Sequence, residues 1–284
     1  MPVLTLAYRC CDRRLPHFLK HSEVEEIAGL ARRQLVEASV DALPLDVLKG
    51  IEGLKINGMA FDLWVSTEHP VNDEQGQPVL GVCEFDPGAS IEAALLSVTP
   101  VSDSATAELV LSTFAHELGH AIFDAPGWIA AANQGPGLFD DPDEFARKAY
   151  RTTTRDAEHL AKNPTSSEHQ PPVPSVINRQ IEREVHFAEL RANEFMGSLL
   201  VPRQRLAQAV EELAPQHGVT IHRHPSLYPE LPDAQLRLTA DGDLGLFHME
   251  GLQKALAERF RVHRRFIQVR MERYGLLHSG TKIH

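Results

Sequence analysis

Two stretches of the chain repeat apolar residues at the spacing of an α-helix. The first precedes Pro126, and its apolar positions are Leu109, Val110, Phe114, Ala121 and Ile122. The second spans residues 177–200 and keeps the same repeat over a longer distance. Residues three or four apart share one face of a helix, so each stretch predicts an amphipathic helix. Ser102-Asp103-Ser104 is expected to cap the first helix, and Pro126-Gly127 to end it.

Shorter apolar runs, separated by turn-forming residues, occur between residues 54 and 99 and predict short strands. We therefore expect an α+β fold that is mostly helical, with a small antiparallel sheet beside the first helix. The strand at residues 95–100 leads into that helix and is expected to offer an edge to an extended peptide. Further along, residues 235–239 and 244–247 predict a β-hairpin, followed by two short helices at residues 250–262 and 263–276.

Charge and cysteine content narrow the class of protein. The 284-residue chain has a formal net charge of -11 at pH 7, and an acidic chain is a poor general binder of nucleic acid. No run approaches the ~18 apolar residues of a membrane span, and the order of apolar and basic residues at the N-terminus is the reverse of a signal peptide. Three cysteines make no disulfide framework. We expect a cytoplasmic protein that binds neither a membrane nor nucleic acid directly.

The first helix contains a His-Glu-x-x-His motif at His116, Glu117 and His120. Positions four apart lie one turn above each other, so both imidazoles can bind one metal ion with Glu117 beside a bound water. Gly119 has no side chain and would let another element approach closely. A catalytic site needs a third ligand and one open position. Spacing does not choose among the candidates on the second helix, which are Glu182, Glu184, His186, Glu189 and Glu194.

The second helix also carries a motif of its own. It reads Glu-Leu-Arg-Ala-Asn-Glu-Phe from Glu189 to Phe195, followed by Leu-Leu-Val-Pro ending at Pro202. Together with the first motif, this resembles the ImmA/IrrE family of zinc-dependent metallo-endopeptidases over residues 21–125 and 180–277. The resemblance implies a zincin-like fold, zinc as the cofactor, and Glu189 as the third ligand. It also implies a helix-turn-helix transcriptional repressor as the substrate, in a stress response, a mobile element or toxin–antitoxin-like regulation.

The chain departs from the family pattern at Val201, at His263 and in two features that bear on the site. The insertion over residues 127–175 is long, and Asp124 stands where the family often has another histidine. Asp124 can orient His120 through its ring N–H, or it can cap the helix end or face water. In the implied mechanism Glu117 is the catalytic base. His186 and Asn193 are candidates for stabilising the oxyanion or supporting the ligands.

We expect two domains and keep two other functions open. A zincin-like metallopeptidase domain is predicted over residues 1–215, with the insertion inside it. Residues 216–284 are predicted to form a C-terminal region, with the β-hairpin and a helix-turn-helix-like pair, packed on that domain. This region is basic, so a DNA-binding regulator is one alternative, and an inactive protein-binding module that retains zinc is the other. The basic residues are Lys254, Arg259, Arg261, Arg264, Arg265, Arg270 and Arg273.

Overall fold

A computed structural model of the chain confirms the mixed α and β class. It describes residues 2–73, 76–86, 92–134, 148–152, 176–224, 235–240, 242 and 244–277. Contacts between residues divide the chain into two compact units. The first comprises Met1–Val40 and Pro44–Leu199, and the second comprises Asp41–Leu43 and Leu200–His284.

The first unit contains a six-stranded sheet built from described residues. Its strands are β1 Val3–Leu6, β2 Gly53–Ile56, β3 Met59–Ser66, β6 Gly81–Phe85, β7 Ala93–Val98 and β8 Lys148–Thr152. They lie in the order β1-β2-β3-β7-β6-β8. The pairs β1/β2 and β3/β7 are parallel, and the other three neighbouring pairs are antiparallel. Two short strands, β4 Val71–Asn72 and β5 Pro78–Val79, form a separate antiparallel pair.

The prediction of an antiparallel sheet is therefore only partly right, because this sheet is mixed. Parallel neighbours need a crossover connection. Helices α1 His21–Leu35 and α2 Leu45–Lys49 lie between the parallel strands β1 and β2 in the chain. Alternating apolar residues, such as the buried Leu4 and Leu6 in β1, indicate a half-buried strand. They do not indicate which strand pairs with it, or whether the pair is parallel.

The expected sheet edge at residues 95–100 is also wrong. Strand β7 lies between β3 and β6, so both of its sides are paired. The insertion itself supplies the strand next to β6, since β8 pairs with it in the register Gly81↔Thr152 to Phe85↔Lys148. The insertion also contains most of helix α4, Ala125–Gln134, and the rest of residues 127–175 lies outside the described part of the chain.

Helix α3, Ala107–Phe123, is the core helix of the first unit. From Val110 to Phe123 its residues are buried, except Ser112, which is intermediate. Its N-cap is Thr106, whose hydroxyl accepts from the Leu109 N–H, and not the predicted Ser102-Asp103-Ser104. The predicted second helix is α5, Val176–Leu200, and it packs on α3 where the rings of Phe123 and Phe195 meet edge to face at 5.8 Å.

The second unit contains four helical segments and a two-stranded sheet among its described residues. They are α6 Arg203–Leu213, a 3₁₀-helix Ala214–His217, α7 Gly245–Phe260, α8 Arg264–Arg273, and strands β9 Thr220–His224 and β10 Gln235–Thr239. Asp41 joins this unit through ion pairs with Arg205 and Arg259, at 2.5 Å and 2.6 Å.

The predicted C-terminal hairpin is wrong in its second strand. Strand β10 pairs antiparallel with β9, and residues 244–247 lead into and begin helix α7 instead. Four residues are too few to distinguish the two-residue repeat of a strand from the 3.6-residue repeat of a helix. The pattern at residues 244–247 therefore did not determine the type of element. The two predicted short helices coincide in outline with α7 and α8. Among the described helices, none is long and apolar enough to cross a membrane.

Arg32 provides a test of how the end of α5 is held. It is buried on α1, and its guanidinium donates to the carbonyl oxygens of Leu199 at 2.6 Å and Val40 at 2.8 Å. Carbonyls in the last turn of a helix lack intrahelical partners, so Arg32 caps α5. Arg32→Ala should lower the free energy of unfolding, measured in urea, by about 2–4 kcal/mol.

The matched control is the neighbouring arginine of α1, Arg33, which is exposed. Arg33→Ala should change the free energy of unfolding by less than about 0.5 kcal/mol. Equal effects of the two substitutions would show that the contacts of Arg32 do not stabilise the fold.

Candidate metal centre

Three side chains in the first unit bring ligand atoms together. His116 Nε2 and His120 Nε2 are 3.2 Å apart. The carboxylate of Glu189 faces both rings, with Oε2 at 3.3 Å from His116 Nε2 and Oε1 at 3.5 Å from His120 Nε2. Within the described residues, these three form a group that can hold a metal ion. Spacing alone left five candidates for the third position, and the fold brings Glu189 to the two histidines.

The separations fit a tetrahedral zinc ion. Zinc binds nitrogen and carboxylate oxygen at about 2.0–2.1 Å, so two ligand atoms on a tetrahedron are separated by about 3.3–3.4 Å. The observed 3.2, 3.3 and 3.5 Å lie on either side of that value. Three protein ligands leave one position for water or substrate. The donor set of two imidazoles and a carboxylate therefore suits zinc.

The ligands meet because α3 and α5 approach closely at Gly119. A Cβ atom placed on Gly119 would lie 3.0 Å from Ala192 Cα and 3.3 Å from Ala192 Cβ. This confirms the expectation that Gly119 permits another element to come close. Glu189 lies three residues before Ala192 on α5, and His116 and His120 flank Gly119 on α3. Any side chain at position 119 would move Glu189 relative to the two histidines.

Glu117 is fully buried against strand β6. A Cβ atom placed on Gly81 would lie 3.0 Å from Glu117 Oε1 and 2.6 Å from the methyl group of Thr113. Gly81 therefore gives the Glu117 carboxylate room between the helix and the sheet. Sequence reasoning did not single out Gly81, although a glycine inside a strand often marks a close approach.

Asp124 contacts His120 on the ring nitrogen that faces away from the other ligands. The distance from His120 Nδ1 to Asp124 Oδ2 is 2.8 Å, and Asp124 is 4% exposed. It is also the C-cap residue of α3. Burial excludes the alternative in which Asp124 faces water. With the proton on Nδ1, His120 donates to Asp124 and keeps the Nε2 lone pair for a metal.

The carboxylates determine the protonation of the metal-free site. Burial alone would lower the pKa of His120, but hydrogen bonds with Asp124 and Glu189 outweigh it and raise the pKa to about 10. Burial would raise the pKa of Glu189, yet hydrogen bonds from His116 and His120 hold it well below its ordinary value. His120 is therefore protonated at neutral pH, so its proton occupies the position that a metal ion would take.

The other candidates on α5 are not part of the three-residue group. His186 is exposed, and its ring lies 6.0 Å from that of Phe187. Glu194 is buried and accepts from the Ser198 hydroxyl at 3.1 Å. Asn193 lies one turn after Glu189, and its Oδ1 is buried with no hydrogen-bond partner in the described residues. Glu184 is exposed. The side chain of Glu182 lies outside the described part of the chain.

A cavity of about 710 Å³ lies beside the centre but does not include it. Asp124 and Arg191 line it, together with aromatic side chains such as Phe18, Trp128 and Phe187. None of the three ligands lines this cavity. It therefore borders the Nδ1 side of His120, and it is not the space in front of the ligand atoms.

Comparison of the chain with protein-family models, and with curated proteins, gives no match.

Gly119→Ala tests the close approach of α3 and α5. The added methyl group meets the backbone of Ala192, so the helices must separate. We expect a loss of about 1–3 kcal/mol in the free energy of unfolding and weaker zinc binding. The control is Gly29→Ala on α1, where a Cβ atom would meet only the end of the Arg33 side chain at 3.5 Å. Gly29→Ala should be neutral or stabilising by up to about 1 kcal/mol, and a similar result at Gly119 would contradict the close approach.

The affinity of the site for zinc should depend on pH, because a metal ion bound there would displace the proton of His120. A group with a raised pKa keeps its proton until the pH nears that pKa, here about 10. Between pH 7 and 8.5 the apparent dissociation constant, measured against a chelator, should therefore fall about tenfold for each unit rise in pH.

Asp124→Asn removes a cause of the raised pKa of His120 and should flatten this dependence. A histidine with an ordinary pKa of 6.5 would be neutral throughout the range. Wild-type affinity that stays constant from pH 7 to 8.5 would therefore contradict the electrostatic description of the site.

Proposed function

We propose that the protein is a zinc-dependent endopeptidase. The observation that carries this proposal is the arrangement of His116, His120 and Glu189 at tetrahedral spacing, with Glu117 on the same helix turn. Two imidazoles, one carboxylate and a neighbouring glutamate are the residues that a zinc peptidase uses to bind and activate water. The zincin-like fold belongs to the same proposal, supported by the resemblance of the two helical motifs to the ImmA/IrrE family.

Zinc held by His116, His120 and Glu189 would bring a water molecule with a lowered pKa and polarise a peptide carbonyl. Glu117 then acts as the general base, accepting a proton from the attacking water. The same carboxyl returns the proton to the leaving amine as the peptide bond breaks. Its burial between α3 and Gly81 limits the positions that the carboxylate can take.

A donor for the developing oxyanion completes the proposed chemistry. Both candidates lie one helical turn from Glu189 on α5, and Asn193 is preferred because its side-chain oxygen is buried. His186 is exposed and packs beside Phe187. We assign the oxyanion role to Asn193 within this proposal.

The substrate part of the proposal rests on the family resemblance alone. It names a helix-turn-helix transcriptional repressor, cleaved in the cytoplasm as part of a regulatory response. The motif from Glu189 to Phe195 and the motif at His116 to His120 support this choice, since both match the family pattern.

The alternative of a DNA-binding regulator has less support. Several of the C-terminal basic residues already have partners within the second unit. Arg259 pairs with Asp41 and Glu212, Arg264 pairs with Glu250 at 2.9 Å, and Arg270 is buried. A charge that is neutralised inside its own unit contributes less to binding phosphates.

Glu117→Gln is the test of the proposed mechanism. The amide keeps the shape of the side chain but cannot accept the proton, so cleavage should fall by about 100-fold or more. The assay incubates the purified zinc-loaded protein with a repressor encoded beside its gene and identifies fragments by mass spectrometry. Glu26→Gln, at an exposed position of α1, is the control and should cleave normally.

A mixture of cellular peptides separates the mechanism from the choice of substrate. Cleavage of such peptides by the wild type, without cleavage of the repressor, would reject only the substrate. Equal cleavage by wild type and Glu117→Gln would reject the mechanism. Zinc binding without any cleavage would favour the alternative of an inactive module.

A further inference from the structure

Helix α5 is linked to both sides of the His120 ring, directly through Glu189 and indirectly through Asp124. On the Nε2 side, Glu189 Oε1 lies at 3.5 Å. On the Nδ1 side, Asp124 Oδ2 lies at 2.8 Å, and Arg191 of α5 in turn donates from Nη2 to Asp124 Oδ1 at 2.8 Å. Two positions of one helix, Glu189 and Arg191, are thus linked to the two nitrogens of one ring.

We propose that Arg191 is a positioning residue for the metal centre, acting on His120 through Asp124. The proposal requires a metal at the site but not peptide hydrolysis, so it can be tested separately from the proposed enzyme activity. Arg191 is not one of the three residues of the metal group. Its effect must pass through the carboxylate.

Asp124 needs a cationic partner where it lies. It is the C-cap of α3, where the helix dipole disfavours negative charge, and it is 4% exposed. A buried carboxylate without compensation is costly. His120 donates to one oxygen, and Arg191 donates to the other with its positive charge. Arg191 therefore allows a carboxylate to occupy this position.

Contacts to both oxygens also set the orientation of the carboxylate. If Oδ1 were free, the group could rotate and present either oxygen, or neither, to His120. Held by Arg191, Asp124 keeps Oδ2 on the ring nitrogen. That contact fixes the tautomer with a proton on Nδ1 and the direction in which Nε2 points. Groups of this kind, one contact beyond the ligands, commonly change metal affinity by about 10–100-fold.

The hydrogen bonding of Arg191 is incomplete, so the burial of this side chain is not explained by a gain in fold stability. Its side chain is 16% exposed, and its Nε has no hydrogen-bond partner within the described residues. A buried donor without a partner is destabilising. The contact with Asp124 accounts for this arrangement, because it ties the helix that supplies Glu189 to the ring of His120.

The test measures zinc affinity by competition with a chromophoric chelator, and the absorption spectrum of the cobalt-substituted protein. Arg191→Ala should weaken zinc binding about tenfold or more and alter the cobalt spectrum. The matched control is Arg183→Ala, which removes an exposed arginine two turns earlier on α5. This control should leave both measurements unchanged.

A double-mutant cycle with Asp124 tests the route of the effect. In an Asp124→Ala background, Arg191→Ala should weaken zinc binding by less than about twofold, because the carboxylate through which it acts is missing. Wild-type zinc affinity in Arg191→Ala would overturn the proposal. So would a full additional loss in the double variant.

Folding is checked by circular dichroism of the metal-free variants. If Arg191→Ala does not fold, Arg191→Gln provides the same test with a side chain closer in length. Failure of both to fold would contradict the proposal, since it would show that Arg191 stabilises the fold and not the metal geometry. None of these measurements uses a peptide substrate, so a failed cleavage assay leaves them intact.

Discussion

The close approach of two helices at Gly119 and Ala192 is the constraint on which the candidate metal centre depends. Two imidazoles on α3 cannot make a metal site until a carboxylate from another element lies within about 3.5 Å of both. The contact at Gly119 brings Glu189 to that distance. The buried faces of α3 and α5, where Phe123 meets Phe195, supply the apolar contact that holds the helices together.

The sheet limits the site from the opposite side of α3. Gly81 of β6 leaves room for the carboxylate of Glu117, so that the proposed base is buried and confined. Asp124 and Arg191 close the arrangement behind His120. The two ring nitrogens of His120 thus differ in their surroundings, since Nε2 faces the other ligands and Nδ1 contacts the carboxylate that fixes the tautomer. The candidate site combines one helix that carries His116, Glu117 and His120 with a second helix that supplies Glu189.

Sequence reasoning could select His116 and His120 as a metal-binding pair, and propose Glu117 beside them, because the motif depends on helical spacing alone. It could not choose Glu189 among the acids of α5 by spacing, since the choice depends on where two distant helices cross. Arg191 had no local signal that distinguishes it from an exposed arginine such as Arg183. The α+β class followed from periodicity, but strand pairing did not, because the partner of a strand is a long-range property. For the same reason the interior position of β7 and the edge position of β8 were missed.

Zinc K-edge X-ray absorption of the purified protein tests the central claim most directly, because it counts the atoms around the metal. We predict one zinc ion per chain with two imidazole nitrogens and two oxygens at about 2.0–2.1 Å, one oxygen from Glu189 and one from solvent. His120→Ala should remove one imidazole from the spectrum. Zinc bound through sulfur, or a spectrum unchanged by His120→Ala, would contradict the assignment of this centre.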